Sequence, residues 1–185
     1  MSLGFRFPRD EPPGPELFTS ASPAHGSNTV CEGFMTNTSD QSDGWAGTVR
    51  GKPGVGQVAE RARTTRMGDI EAFSGITGDH NPLHYDRALA ESTVFGKLIV
   101  QGGVTSGLLN ACVAEVLPGP GTVFLSCDWK FLKAVGVDET ITARVEVLTV
   151  RDDKPVCTLK TAILNEAGDI CLEGTAATFT VPLMR

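Results

Sequence analysis

Asp79 and His84 stand in the run Thr77-Gly78-Asp79-His80-Asn81-Pro82-Leu83-His84-Tyr85-Asp86, the densest polar stretch of the chain. Its residue types offer more than one chemistry. An ionised carboxylate only accepts hydrogen bonds, and an imidazole takes or gives a proton near neutral pH. Together the two groups can bind one water, deprotonate it and return the proton elsewhere. A metal site from His80, His84, Asp79 and Asp86 is the second possibility. His-x3-His spacing serves a metal when one helix carries both rings on one face. Pro82 lies between the rings and opposes such a helix. The remaining histidine, His25, lies in a segment of different character, so no metal is expected. A structural reading competes with both: Asp79 capping Asn81 and Pro82 in an Asx-type turn, with His84 satisfied locally. On residue types alone this is the commoner arrangement.

A second element is Gln101-Gly102-Gly103, placed just before an apolar run. Helix starts present free backbone N–H groups and partial positive charge. A carbonyl aimed there would have its developing negative charge stabilised. Plain flexibility at a helix start is the rival explanation for the glycine pair.

The flanking segments are built to hold these residues. Val58 to Thr65 is compatible with a strand. Asp69 is placed to cap a helix in which Ile70, Phe73 and Ile76 or Thr77 recur at helical spacing. Gly78 falls where a left-handed residue would end that helix. Asp86 can cap a short turn from Arg87 to Ser92. Beyond Gln101, the residues Val104, Leu108, Leu109, Cys112, Val113 and Val116 spread round most of a helix, which marks it as buried. Pro118-Gly119-Pro120-Gly121 ends it. The rest alternates as strands do: Trp129 and Phe131 against Asp128 and Lys130, then Ile141, Ala143, Val145 and Val147 against Thr140, Thr142, Arg144 and Glu146. Turns at Asp152–Pro155 and Asn165–Asp169 separate this strand from Val156–Leu164 and Ile170–Val181, so antiparallel hairpins are expected. One buried helix with an antiparallel sheet curled over it is the economical packing, an α+β domain.

Composition narrows the field. The chain has 185 residues, net charge −6 and 41% apolar residues, with a pI near 5.0. That balance gives no basic patch for nucleic acid and no polybasic signal for a membrane. No apolar run is long enough to span a bilayer. Cys31, Cys112, Cys127, Cys157 and Cys171 form no CxxC pair and read as buried, small hydrophobes in a reducing compartment. The cytoplasm is the expected location, with an organelle matrix as the alternative. Residues 1–55 are rich in Pro, Gly, Ser and Thr and read as a flexible tail, with the domain at 56–185. A chain beginning at Gly54 is accordingly expected to fold and to work. The alternative is an arm packing on a partner subunit through Phe5, Phe7, Phe18, Phe34 or Trp45.

The run from Phe73 to Asp86, followed by Leu98-Ile99-Val100-Gln101-Gly102, resembles the MaoC-like R-specific enoyl-CoA hydratases. Trp129-Lys130-Phe131-Leu132-Lys133 and Ile141–Val147 are similar to strand signatures of the same family. The resemblance covers roughly residues 56–182 and reverses the preference for a purely structural turn. It implies a hotdog fold, in which a curved antiparallel sheet wraps one long apolar helix, and a side-by-side homodimer. It also implies syn addition of water to a trans-2-enoyl thioester, carried by coenzyme A or an acyl carrier protein, giving the (R)-3-hydroxyacyl product without a cofactor. Carried onto this sequence, the catalytic groups are Asp79, His84 and the Gly102 amide, with Asn81, Gln101, Gly103 and Asn110 at the substrate. Four positions depart from the family pattern: Gln101 replaces a more usual His, Asn110 replaces a small hydroxyl residue, and Ala134 and Val137 replace the usual Pro and Gly near the bend. Thioester hydrolysis, or a non-catalytic acyl-thioester-binding subunit, is the alternative function.

Overall fold

A computed structural model of the chain describes residues 44–184. Strand β1 (Val58–Thr64) leads into helix α1 (Met67–Thr77), a single 3-10 turn (Pro82–His84) and the short helix α2 (Arg87–Ser92). Helix α3 (Gly102–Glu115) follows, then strands β2 (Thr122–Phe131), β3 (Thr140–Val150), β4 (Val156–Asn165) and β5 (Ile170–Thr180). The five strands form one antiparallel sheet in the order β1-β3-β4-β5-β2. This is the expected α+β hotdog arrangement of a sheet packed over one helix.

The alternation read in the sequence is what builds the core. Ile141, Ala143, Val145 and Val147 of β3 and Cys157, Leu159 and Ile163 of β4 are buried in one cluster with Leu108, Leu109, Cys112 and Val113 of α3. A one-residue slip of either strand would turn that whole set to solvent, so the register is strongly fixed. The turn between β4 and β5 is held by Asn165, whose Oδ1 accepts from the amides of Ala167 and Asp169 at 3.0 and 2.8 Å. Gly78 ends α1 with φ of 75°, a left-handed conformation that suits glycine. Among the described residues, no helix is long and apolar enough to cross a membrane.

Several expectations need correction. Helix α1 begins at Met67, so Asp69 lies inside its first turn; its carboxylate reaches back to the Arg66 amide at 2.8 Å. Helix α3 is not enclosed all round, because Gly102, Gly107, Asn110 and Glu115 are exposed along one side. Cys112, Cys157 and Cys171 are buried as expected, whereas Cys127 is exposed on the edge strand β2, and Cys31 lies outside the described residues.

The largest correction concerns the expected tail. Residues 44–55 pack on the domain. Trp45 is 1% exposed and belongs to the main apolar cluster, and its Nε1 donates to the Arg151 carbonyl at 2.7 Å. The Gly44 amide donates to the Asp152 carbonyl at 3.0 Å, and the Gly56 amide to that of Val147 at 2.8 Å. A side chain at position 44 would strike the Asp153–Lys154 backbone, so glycine is needed there. Composition averaged over a Pro- and Gly-rich stretch hides one large aromatic whose burial dominates it. Residues 1–43, the rest of the expected tail, lie outside the described residues.

Trp45→Ala should therefore lower unfolding stability by about 3–5 kcal/mol, the usual cost of removing a buried Trp or Phe side chain. Removing residues 1–53 should cost at least as much, contrary to the composition-based expectation. Urea denaturation of both variants beside the full chain checks this, and an unshifted midpoint would return residues 44–53 to the tail.

Candidate active site

The loop between α1 and α2 carries the expected pair. The Asp79 carboxylate divides its two oxygens. Oδ1 accepts the Asn81 amide at 3.1 Å, which is the Asx turn anticipated on residue types. Oδ2 lies 3.7 Å from His84 Nε2. The structural reading and the chemical one therefore coexist on one side chain. Asn81 continues the turn by accepting the Leu83 amide on its own Oδ1 at 3.1 Å, with Pro82 opening the 3-10 turn that presents His84.

His84 Nδ1 lies 2.8 Å from the Ile99 carbonyl oxygen in a buried contact. A carbonyl can only accept, so Nδ1 must carry the hydrogen. In the neutral ring this leaves the Nε2 lone pair facing Asp79. A separation of 3.7 Å is too long for a direct hydrogen bond. Two acceptors at that spacing suit a water that donates one hydrogen to each. Exposure follows the same division: the His84 side chain is 9% exposed and that of Asp79 is 39%, so the pair opens to solvent from the carboxylate side. His80, the other histidine of the loop, lies against Tyr85 with ring centroids 5.9 Å apart. Among the described residues, no cluster of three or more His, Cys, Asp or Glu side chains gathers with metal-site geometry.

Two links tie this loop to the start of α3. The Ile99 amide donates to the Leu83 carbonyl at 3.3 Å, beside the bond from His84 to the Ile99 carbonyl. Gln101 Nε2 donates to Ser74 Oγ at 3.0 Å, and Ser74 Oγ donates to the Asp79 carbonyl at 2.6 Å. Gln101 occupies the N-cap position of α3, its carbonyl accepting from the amides of Val104 and Thr105. The Gly102 and Gly103 amides precede the first possible intrahelical bond and carry the positive end of the helix. The Phe131 ring lies over Gly102: an added Cβ there would come within 3.2 Å of it. The Phe73 ring is closer still to Gly103, 2.2 Å from where a Cβ would be, so a side chain at 103 would displace it.

A cavity of about 310 Å³ opens beside these glycines, between α1, α3 and β1. Phe73, Ile76, Val104, Leu108 and Ile141 give it apolar walls, and Gly107 and Ala111 leave it wide. At its edge Arg63 pairs with Asp69 and Arg61 with Glu115. Gly103 lines this cavity, whereas Asp79 and His84 do not.

Of the residues expected at the site, Asp79, Asn81 and His84 share one loop, and Gln101, Gly102 and Gly103 share the helix start bonded to it. Asn110 is exposed about two turns further along α3 and is not among the residues lining the cavity. The four thiols among the described residues are poor nucleophiles: burial pushes Cys112 up to about 11 and raises Cys157, Cys171 and Cys127 as well. Sequence reasoning passed over the Ile99 carbonyl, Ser74 and Tyr85. The one available signal was a serine four residues after Ile70, on the face of α1 that packs inward.

Comparison with known proteins places the chain in a family. Residues 49–167 match the model of the MaoC like domain. An (R)-specific enoyl-CoA hydratase of Aeromonas caviae is 36% identical over 122 residues, covering 66% of this chain and 91% of the relative. A protein of the same name from Rhodospirillum rubrum is 35% identical, covering 69% of this chain and 87% of that one. The solved structure of the A. caviae (R)-hydratase involved in PHA biosynthesis superposes with a TM-score of 0.67 at 34% identity, over 70% of this chain and 98% of that chain. This chain belongs to the MaoC-like domain family.

Proposed function

We propose that this protein is a hydro-lyase that adds water reversibly across the 2,3 bond of trans-2-enoyl thioesters to give (R)-3-hydroxyacyl thioesters. The observation that carries the reading is the spacing of Asp79 Oδ2 and His84 Nε2, two acceptors 3.7 Å apart with the imidazole hydrogen committed to Ile99. It is supported by relatives and a solved structure named as (R)-specific hydratases.

In this mechanism one water sits between the two groups. As its oxygen bonds to C3 of the enoyl chain, the C2=C3 electrons move toward the thioester carbonyl, giving an enolate. The Gly102 amide at the positive end of α3 stabilises that charge. The proton lost by the water passes to the pair and returns to C2, so the atoms of one water are added and nothing is left over. Delivery of both parts from one side gives syn addition, and fixing the carbonyl at α3 lets only one face of the alkene meet the water. Gln101, Gly103 and Asn81 shape the approach as neighbours of these groups. Coenzyme A or an acyl carrier protein carries the thioester.

Crotonyl-CoA tests the reading directly. Loss of the conjugated thioester absorbance without release of free thiol is the expected result, with the (R) product on chiral analysis. Thiol release would mean hydrolysis, no reaction a binding subunit, and the (S) product a different geometry of attack.

Asp79→Asn and His84→Ala should each lower kcat on the order of 10² to 10⁴-fold, the usual worth of positioned acid–base groups. Because both hold one water, the double variant should be little worse than the poorer single. Multiplicative losses in folded proteins would assign the residues to separate steps.

The protein acts, in this proposal, as a homodimer. Strand β2 is a sheet edge with exposed Val123, Leu125 and Phe131. A long apolar edge invites pairing with another chain. Light scattering should give twice the 19.6 kDa chain mass at micromolar concentration, and a stable monomer would remove this part of the proposal.

A further inference from the structure

Ser74 sits on α1, outside the loop that carries the pair, yet its hydroxyl bonds to both ends of that loop and to the start of α3. Its Oγ donates to the Asp79 carbonyl at 2.6 Å. It accepts from the Tyr85 hydroxyl at 2.5 Å and from Gln101 Nε2 at 3.0 Å. A hydroxyl has one hydrogen and two lone pairs, so Ser74 is saturated. The Asp79 carbonyl has no proton to give, which forces the single Ser74 hydrogen toward it. Tyr85 and Gln101 must then both be donors.

This junction joins three segments. Asp79 opens the polar loop, Tyr85 directly follows His84, and Gln101 caps the helix whose next amide is that of Gly102. Ser74 and Gln101 are buried, at positions where packing alone would favour apolar side chains. Gln101 Oε1 is also buried and has no hydrogen-bond partner among the described residues. The Gln101 amide is thus turned so that its donor end, and not its acceptor, meets Ser74.

We propose that Ser74 is a positioning residue: through its bond to the Asp79 carbonyl, and with Tyr85 and Gln101 as its two donors, it sets the spacing of Asp79 and His84 and locks their loop against the start of α3. The proposal rests on the reading of that pair as the water-activating group. Ser74 itself does not touch the reacting atoms. It acts on the backbone from which the Asp79 carboxylate projects, and a displacement of about 1 Å in a reacting group can lower turnover on the order of 100-fold.

The test uses the full chain with Ser74→Ala, Ser74→Thr and Tyr85→Phe. Tyr85 is partly exposed, so its variant removes one donor with little risk to folding. Steady-state hydration of crotonyl-CoA is measured beside the ¹⁵N resonances of the His84 ring in the free protein. Ser74→Ala is expected to lower kcat by roughly 10 to 100-fold with KM nearly unchanged, and to move the Nε2 resonance as Asp79 shifts. Ser74→Thr, which keeps the hydroxyl, should restore most of the rate, and Tyr85→Phe should lose an intermediate amount. If the parent protein hydrates crotonyl-CoA and Ser74→Ala changes neither kcat nor the resonance, the positioning role is wrong while the hydratase reading stands. If the parent is inactive but the resonance moves, the hydratase reading is wrong and the positioning role stands. A loss with Ser74→Ala that Ser74→Thr does not restore, in proteins with the parent's melting temperature, would also overturn the proposal.

Discussion

Helix α3 has to bury one face along its length and stay open at its first turn. Leu108, Leu109, Cys112 and Val113 are buried against β3 and β4, and four such side chains in water would remove much of the folding free energy. The first amides of the same helix have no acceptor within it, and each would cost about 1–3 kcal/mol if buried unpaired. The chain meets both demands by beginning the helix at the rim of the sheet, with Gln101 inside and Gly102 exposed. The approach to that rim is pinned: the Val100 amide donates to the Val135 carbonyl at 2.9 Å and the Val137 amide to that of Leu98 at 3.3 Å. Two amides at the positive end of the helix are left without an intrahelical acceptor beside a segment held by these two backbone bonds. The polar loop has only to dock there.

That docking depends on backbone groups more than on side-chain contacts. His84 is oriented by the Ile99 carbonyl, one residue before Val100 in the pinned stretch. Asp79 is oriented by the Asn81 amide on one oxygen and by the bond between its own carbonyl and Ser74. The second carboxylate oxygen is thereby released from structural duty and faces the imidazole. A carboxylate with both oxygens in the turn would be a cap and nothing more. One with neither would sample several rotamers, and ordering it would then have to be met when the water binds.

The regular part of this arrangement was legible in the sequence because its signals are periodic. Alternation in Ile141–Val147 and the apolar circumference of α3 each report a burial face directly, and the Pro, Gly and Asp residues punctuate them. That Asp79 and His84 share one loop and that a helix starts at Gly102 was legible through their motif, and Gly78 through its place at a helix end. What escaped has no period. Residues 44–56 are irregular backbone whose long-range hydrogen bonds include those to Val147, Arg151 and Asp152, about a hundred positions away. A single Trp among glycines and prolines carries that packing, and averaging over composition erases it. Ser74 escaped for a related reason. A lone hydroxyl in a helix reads as neutral until Gln101 and Tyr85 are brought to it by the fold.

The energetics of that junction separate stability from placement. Each neutral hydrogen bond to Ser74 contributes about 0.5–1.5 kcal/mol net. A buried acceptor left unpaired costs about 1–3 kcal/mol, enough to cancel one or two of them, and Gln101 Oε1 has no partner among the described residues. Apolar side chains of the same shape at positions 74, 85 and 101 would fill the space as well, with no unpaired acceptor, and such exchanges are often neutral or stabilising. Stability therefore does not account for the cluster. Apolar contacts hold segments together without direction, and they tolerate small sliding between α1, the loop and α3. A saturated hydroxyl does not, because each of its three bonds has one allowed direction and a length fixed to a few tenths of an ångström. In the proposed reaction the carboxylate of Asp79 has to stay at one distance from a ring anchored to a different segment. Directional bonds that hold both segments to one atom supply that constraint, and the unpaired oxygen is its cost.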